Sequence, residues 1–238
     1  MRKTTIYGRD NHIISNVEEW FEYAPPKRGA KQWKDDYSAK ELAKYFVNYL
    51  GHVPPEINAA LDKYGSNDKE IKSFAEYTTP LDDFNSGEGR NHDLLMVGES
   101  IVVGIEAKVK ESLDYYVLDK IKDATPTAKE RYEMLCRAIL NKNIEECENI
   151  RYQLLSATAG TLIEAEKANV NKAALLIVVL KFDGVSDTTR NDVDNFKLAL
   201  KPFQKSDGSF NIPYKPNINL FIDYIEINPL TYLKEQQD

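Results

Sequence analysis

The sequence predicts a mixed α/β protein whose sheet is covered by helices on both faces. Three observations carry this. Ala173–Leu180 (AALLIVVL) is an unbroken apolar run of strand length, as in a strand buried on both sides. Asp93–Val97 and Ile101–Val109 are apolar at successive positions and are joined by Gly98-Glu99-Ser100, which reads as a second and third strand in a covered hairpin. Ile150–Ala168 reads as a long helix rich in Ser156, Ala157, Ala159, Gly160 and Ala165, small residues that let a helix backbone lie close against a sheet.

The other elements follow in chain order. Val17–Leu50 carries two helical patterns separated by Pro25, Pro26 and Gly29. Ser38 reads as the N-cap of the second, with Glu41 completing a capping box, and Leu42, Tyr45, Phe46 and Tyr49 form its apolar stripe. Glu56–Tyr64 fits a short helix that buries Ile57 and Leu61. Ile71–Thr79, aromatic and β-branched, is the first expected strand, and LDDFNSGEGR after it has loop chemistry. Glu111–Asn143 reads as helical, with Thr125-Pro126 opening its second half as cap and first-turn proline. Asp187–Leu200 is a further helix and Asn219–Ile227 a closing strand. The expected organisation is a single domain over 1–238, with a helical extension (1–53), an α/β core (54–182) and a C-terminal helix-strand addition (183–238).

At 238 residues, 42% hydrophobic and 29% charged, the chain has the composition of an ordinary globular protein. A net charge of -7 argues against non-specific coating of nucleic acid, although a local basic face can still steer encounter with DNA. The two cysteines, Cys136 and Cys147, have neither zinc nor redox spacing and fit helix packing in a reducing compartment. The first residues are basic but lack a following apolar segment, and no apolar run approaches membrane-spanning length. The expectation is a cytoplasmic protein without a membrane partner.

The chemistry concentrates in Asn91–Glu111, NHDLLMVGESIVVGIEAKVKE. Glu106 and Lys108, two apart on a strand, share a face. If Gly98 pairs with Ile101, Asp93 falls opposite Glu106; a three-residue loop pairing Val97 with Ile101 would send Asp93 to the other face. In the first case two carboxylates repel and favour a cation. Hard oxygen donors with open positions suit Mg²⁺ or Mn²⁺, which would polarise a phosphate and activate water, with Lys108 orienting that water. The alternative for the same three residues is an ordinary cross-strand ion pair.

Asp93, twelve intervening residues and then Glu106-Ala107-Lys108 resemble the PD-(D/E)xK nuclease superfamily. The resemblance covers roughly Glu56–Phe182 and implies a restriction-endonuclease-like core of helix, three strands, helix and strand. It also implies a nuclease that hydrolyses DNA, double-stranded by expectation, in phage defence, restriction or repair. Asp93, Glu106 and Lys108 would be catalytic, with Asp93, Glu106 and the Ala107 carbonyl holding the metal. Two departures stand out: His92 replaces the motif's proline, and Arg151-Tyr152-Gln153 is not followed by a tyrosine four residues after the glutamine. The segments EWFEYAPPKRGAKQWKDDYSAKELAKYF and RYQLLSATAGTLIEAEKA are similar to an uncharacterised bacterial branch of the superfamily.

Glu76, Gln153 and Arg151 are accessory candidates, with solvated surface polarity as the alternative. Lys27, Arg28, Lys31 and Lys34 around Trp33 form the candidate nucleic-acid contact, the alternative being a solvated loop with Trp33 anchored in the core. A homodimer would suit cutting of both strands. The rival function is a catalytically silent nuclease-fold subunit for DNA binding or assembly, and a third is hydrolysis of smaller phosphoesters.

Overall fold

Strands β1 (Lys3–Tyr7), β2 (Glu70–Leu81), β3 (Ser86–Val97), β4 (Val102–Lys108), β5 (Lys172–Leu180) and β6 (Asn219–Ile227) form one sheet in sequence order. The computed structural model describes residues 1–181 and 188–233. β2, β3 and β4 form an antiparallel meander, while β1 joins β2, β5 joins β4 and β6 joins β5 in parallel. Parallel neighbours need long crossovers, and the helices between them cover the sheet.

One face is covered by α6 (Tyr152–Lys167), whose residues from Leu154 to Ala165 are buried. Leu154, Leu155 and Leu162 pack with Leu95, Val102, Leu175, Ile177 and Ile222. The small residues allow a close approach: a Cβ on Gly160 would lie 2.8 Å from His92 Nε2, and one on Gly104 would lie 2.3 Å from Thr161 Oγ1. The crossovers after β4 also carry α4 (Val117–Lys122), α5 (Pro126–Leu135) and α7 (Thr188–Leu200). Before β2 come α1 (Val17–Tyr23), α2 (Ser38–Asn48) and α3 (Pro55–Lys63). Leu42, Tyr45 and Phe46 of α2 and Ile57 and Leu61 of α3 meet Leu94, Val103, Ile105, Leu176 and Val178 on the other face. A short α8 (Pro229–Leu233) follows β6.

The sheet, its two-sided cover and the hairpin agree with expectation, and four details differ. Residues 1–53 are not wholly helical, because KTTIY forms β1 and finds its partner only in the tertiary pairing Lys3↔Glu70 to Tyr7↔Phe74. β3 begins at Ser86 rather than Asp93, so much of the supposed loop is strand, pairing Thr79↔Arg90 and Leu81↔Ser86. Ser38 is the first residue of α2 rather than its cap; its N–H and hydroxyl both donate to Glu111, and Glu41 reaches back to the Asp36 N–H. The stretch 111–143 is broken into α4, α5 and a π-helical turn at Cys136–Leu140, although Thr125 does cap α5 by accepting from the Ala128 N–H. Asp187, expected to open α7, and Phe182, the expected end of the α/β core, lie outside the described residues. Both cysteines are free and buried. Among the described residues no helix is long and apolar enough to cross a membrane.

Candidate active site at the open end of the hairpin

The β3–β4 turn decides which face Asp93 occupies. The Gly98 N–H donates to the Ile101 carbonyl at 2.9 Å, and pairing runs from Val97↔Val102 to Leu94↔Ile105. Asp68 holds the two-residue turn, accepting from the Ser100 N–H and hydroxyl at 2.9 Å each. Continuing that register places Asp93 opposite Glu106, one step past the last paired residues. The ladder stops there, and the Asp93 carboxylate takes the place of a strand carbonyl, accepting from the Ala107 N–H at 2.7 Å.

Glu106 is fully buried. Its carboxylate is ion-paired with the Arg90 guanidinium, accepts from Gln153 Nε2 at 2.6 Å and lies 3.8 Å from Lys108 Nζ. Lys108 is also buried, donating to the Ala107 carbonyl at 3.0 Å. Desolvation lowers its ammonium pKa, and Asp93 opposes that shift. The Ala107 side chain lies in the opposite core, and its carbonyl accepts from Lys108, which leaves it a second lone pair.

Glu76 on β2 occupies the position facing Asp93 in the β2–β3 register and interrupts that ladder with φ 49°. A non-glycine residue in this region inside a strand costs on the order of 1–3 kcal/mol, a strain characteristic of sites where a side chain is aimed for a purpose. Burial, followed by the negative charge of Asp93, raises its carboxyl to about 8, although the Asn91 amide donates to it at 2.6 Å. A cleft of about 180 Å³ opens here, lined by Lys27, Glu76, Arg90, Asp93, Glu111 and Gln153 among others.

The remaining candidates separate. Gln153 converges, bridging Glu106 and the Asp114 N–H from the start of α6. Arg151 instead stacks on Tyr116, with its guanidinium carbon 3.7 Å from the ring centre, and bonds Asp192 at 2.9 Å and the Asp114 carbonyl at 3.0 Å; it clamps α7 to the start of α6. Of the basic cluster only Lys27 lines the cleft; Arg28, Lys31 and Lys34 are exposed outside it. Trp33 packs on Phe21 with ring centres 5.1 Å apart, the anchored alternative for that residue.

Sequence reasoning missed Arg90 and Glu111. Arg90 lies in LDDFNSGEGR, whose composition predicts a loop; its position two before His92 on a continued strand is the available signal. Burial acts to raise the Glu111 carboxyl, but the backbone N–H groups of Ser38 and Val109 outweigh it and hold the carboxyl low.

Among the described residues no cluster of three or more His, Cys, Asp or Glu side chains is set to hold a metal. Mg²⁺ needs only one or two carboxylates, with water and substrate phosphate filling its shell. Asp93 and Glu76, mutually repelling and both lining the cleft, are a donor set that fits such an ion.

A family model described as a domain of unknown function (DUF6946) matches residues 13–229. No curated protein and no solved structure matches the sequence. The chain belongs to the DUF6946 family.

Proposed function

We propose that this DUF6946 member is a Mg²⁺- or Mn²⁺-dependent nuclease that hydrolyses DNA phosphodiester bonds at the open end of the β3–β4 hairpin. The observation that carries the reading is the pair of carboxylates, Asp93 and Glu76, facing one another at the interruption of the β2–β3 ladder, beside the buried Lys108. The order α3, antiparallel β2-β3-β4, α6 and parallel β5 supports the resemblance drawn from the motif. Asp93 and Glu76 would hold the ion, with Glu106 behind them. When bound, the ion would polarise the scissile phosphate and make water a better nucleophile at neutral pH.

The chain's own groups have separable tasks. Lys108, buried and with Asp93 opposing the loss of its charge, is suited to orient the attacking water and to offset negative charge developing on the phosphate. Arg90 lines the cleft wall and balances the buried Glu106 carboxylate there. Gln153 fixes the carboxylate plane of Glu106.

One observation favours the rival reading, a DNA-binding or assembly subunit without turnover: Arg90 already neutralises Glu106. Incubation of the purified protein with plasmid, linear and single-stranded DNA in Mg²⁺, Mn²⁺ or EDTA separates the two. Metal-dependent cutting that disappears in Asp93→Ala and Lys108→Ala is expected. DNA binding without cutting in either metal would favour the rival, and hydrolysis confined to small phosphoesters would place the substrate elsewhere.

A further inference from the structure

A second, larger groove of about 740 Å³ adjoins the acidic cleft, and the two share Lys27, Glu76 and Asn91 as walls. Its floor exists because β3 carries Gly87 and Gly89 where side chains would otherwise fill it. Gly89 is fixed by contact: a Cβ there would lie 2.4 Å from the Thr79 carbonyl oxygen. Half-buried aromatic rings line the groove. Tyr7 stacks on Phe74 with centres 5.4 Å apart, and Phe74 meets Tyr77 at 5.7 Å. The groove also carries exposed Arg9 and Lys27. Arg9 lies close enough to Glu76 to act on its carboxyl. The rim at Asp10 and Asn11 holds two successive left-handed residues, φ 54° and 56°, which build the turn presenting Arg9.

We infer that this groove binds unpaired nucleotides, with bases stacking on the Tyr7–Phe74–Tyr77 row and phosphates held by Arg9 and Lys27, so that the strand runs into the Asp93–Glu76 cleft. The inference rests on the nuclease reading for the strand's destination, but the groove's ligand chemistry is independent of turnover. Stacking on side-chain rings requires exposed base faces, which a duplex hides within its own stack. The two cations supply locally what a chain of net charge -7 lacks overall. The substrate class is therefore single-stranded DNA, or duplex with an unpaired flank, rather than an intact duplex.

The test is fluorescence anisotropy in EDTA, which prevents cleavage, using the full chain with a labelled oligothymidylate, a matched duplex and an oligouridylate. The oligothymidylate should bind at least about 10-fold more tightly than the duplex. Tyr7→Leu and Tyr77→Leu, which keep bulk but remove the aromatic face, should each weaken it by roughly 5- to 100-fold. Arg9→Ala should reduce the salt dependence. A 5-bromouracil oligonucleotide should photocrosslink to Tyr7, Phe74 or Tyr77 in the unaltered protein, a readout that stands even if a leucine variant loses its fold. Equal uptake of oligouridylate would widen the class to either single-stranded nucleic acid. Duplex binding as tight as that of the single strand, crosslinks mapping elsewhere, or no oligonucleotide binding would overturn the inference. Oligonucleotide binding without metal-dependent cleavage would remove the nuclease reading and leave the groove assignment intact.

Discussion

Arg90 on β3 and Glu106 on β4 form an ion pair at the base of the cleft, with the carboxylate fully buried and the guanidinium side chain 15% exposed. The pair joins the two strands beyond the point where their backbone pairing ends at Leu94↔Ile105. The meander therefore stays closed underneath while its end opens above, giving Asp93 and Glu76 a cleft to line.

Breaking that pair one partner at a time should be severe. Arg90→Ala leaves a buried carboxylate without its counter-charge and should cost about 3–5 kcal/mol in urea unfolding. The double variant Arg90→Met, Glu106→Leu should cost markedly less than the sum of the single changes, because neither charge is then stranded. Additive losses would show that the pair is not the binding element across the strands.

Glu76 should make stability fall as pH rises. Its folded pKa of about 8 lies above the carboxyl's usual value of 4.5, so between these values the native state holds a proton that the unfolded chain has lost. Stability attached to that proton is full below about 4.5 and is lost as pH climbs through about 8. Glu76→Gln should flatten this slope in thermal melts, and the melting temperature of the unaltered protein above pH 8 should rise when Mg²⁺ is added. A slope unchanged in the glutamine variant would remove Glu76 as its source.

His92 should act with the opposite sign. It is buried between Gly104 and Gly160, and desolvation, aided by the Arg90 charge, lowers its pKa to about 3. Below its ordinary value of 6.5 the unfolded chain takes up a proton that the native ring refuses, so stability falls with acid between about 6.5 and about 3. His92→Leu should weaken this acid sensitivity in denaturant midpoints measured across that window.

Gly104→Ala should destabilise by about 1–3 kcal/mol, because the new methyl meets Thr161 and the His92 ring where β4 and α6 touch. The companion variant Thr161→Ser keeps the hydroxyl that would lie nearest the added Cβ and should relieve little. A neutral Gly104→Ala would mean that α6 can lift from the sheet without loss.

The acid-acid-lysine pattern was legible because strand geometry is local. Two-residue alternation predicts Glu106 and Lys108 on one face, and the Gly98–Ile101 turn sets a register whose last pair, Leu94↔Ile105, leaves Asp93 and Glu106 as the next positions. Glu76 was only half legible: its strand could be read, but its left-handed backbone and its repulsion from Asp93 arise from pairing across residues far apart in the chain. Arg90 was hidden because SGEGR has turn composition, and only the partner strand β2 draws it into the sheet. β1 was missed for the same reason, since five residues of KTTIY show no periodicity that a short loop could not.

From its residues alone the chain dictates a two-sided sheet, a close-packed helix of small residues and a charged hairpin end, because burial and pleat periodicity operate over neighbouring positions. Which charges meet at that end was decided by the assembled sheet. Arg90 closes on Glu106, Arg151 is drawn away to Asp192, and Glu76 is turned toward Asp93. Electrostatic partners are chosen by proximity in space, and that proximity exists only once β2, β3, β4 and α6 have packed together.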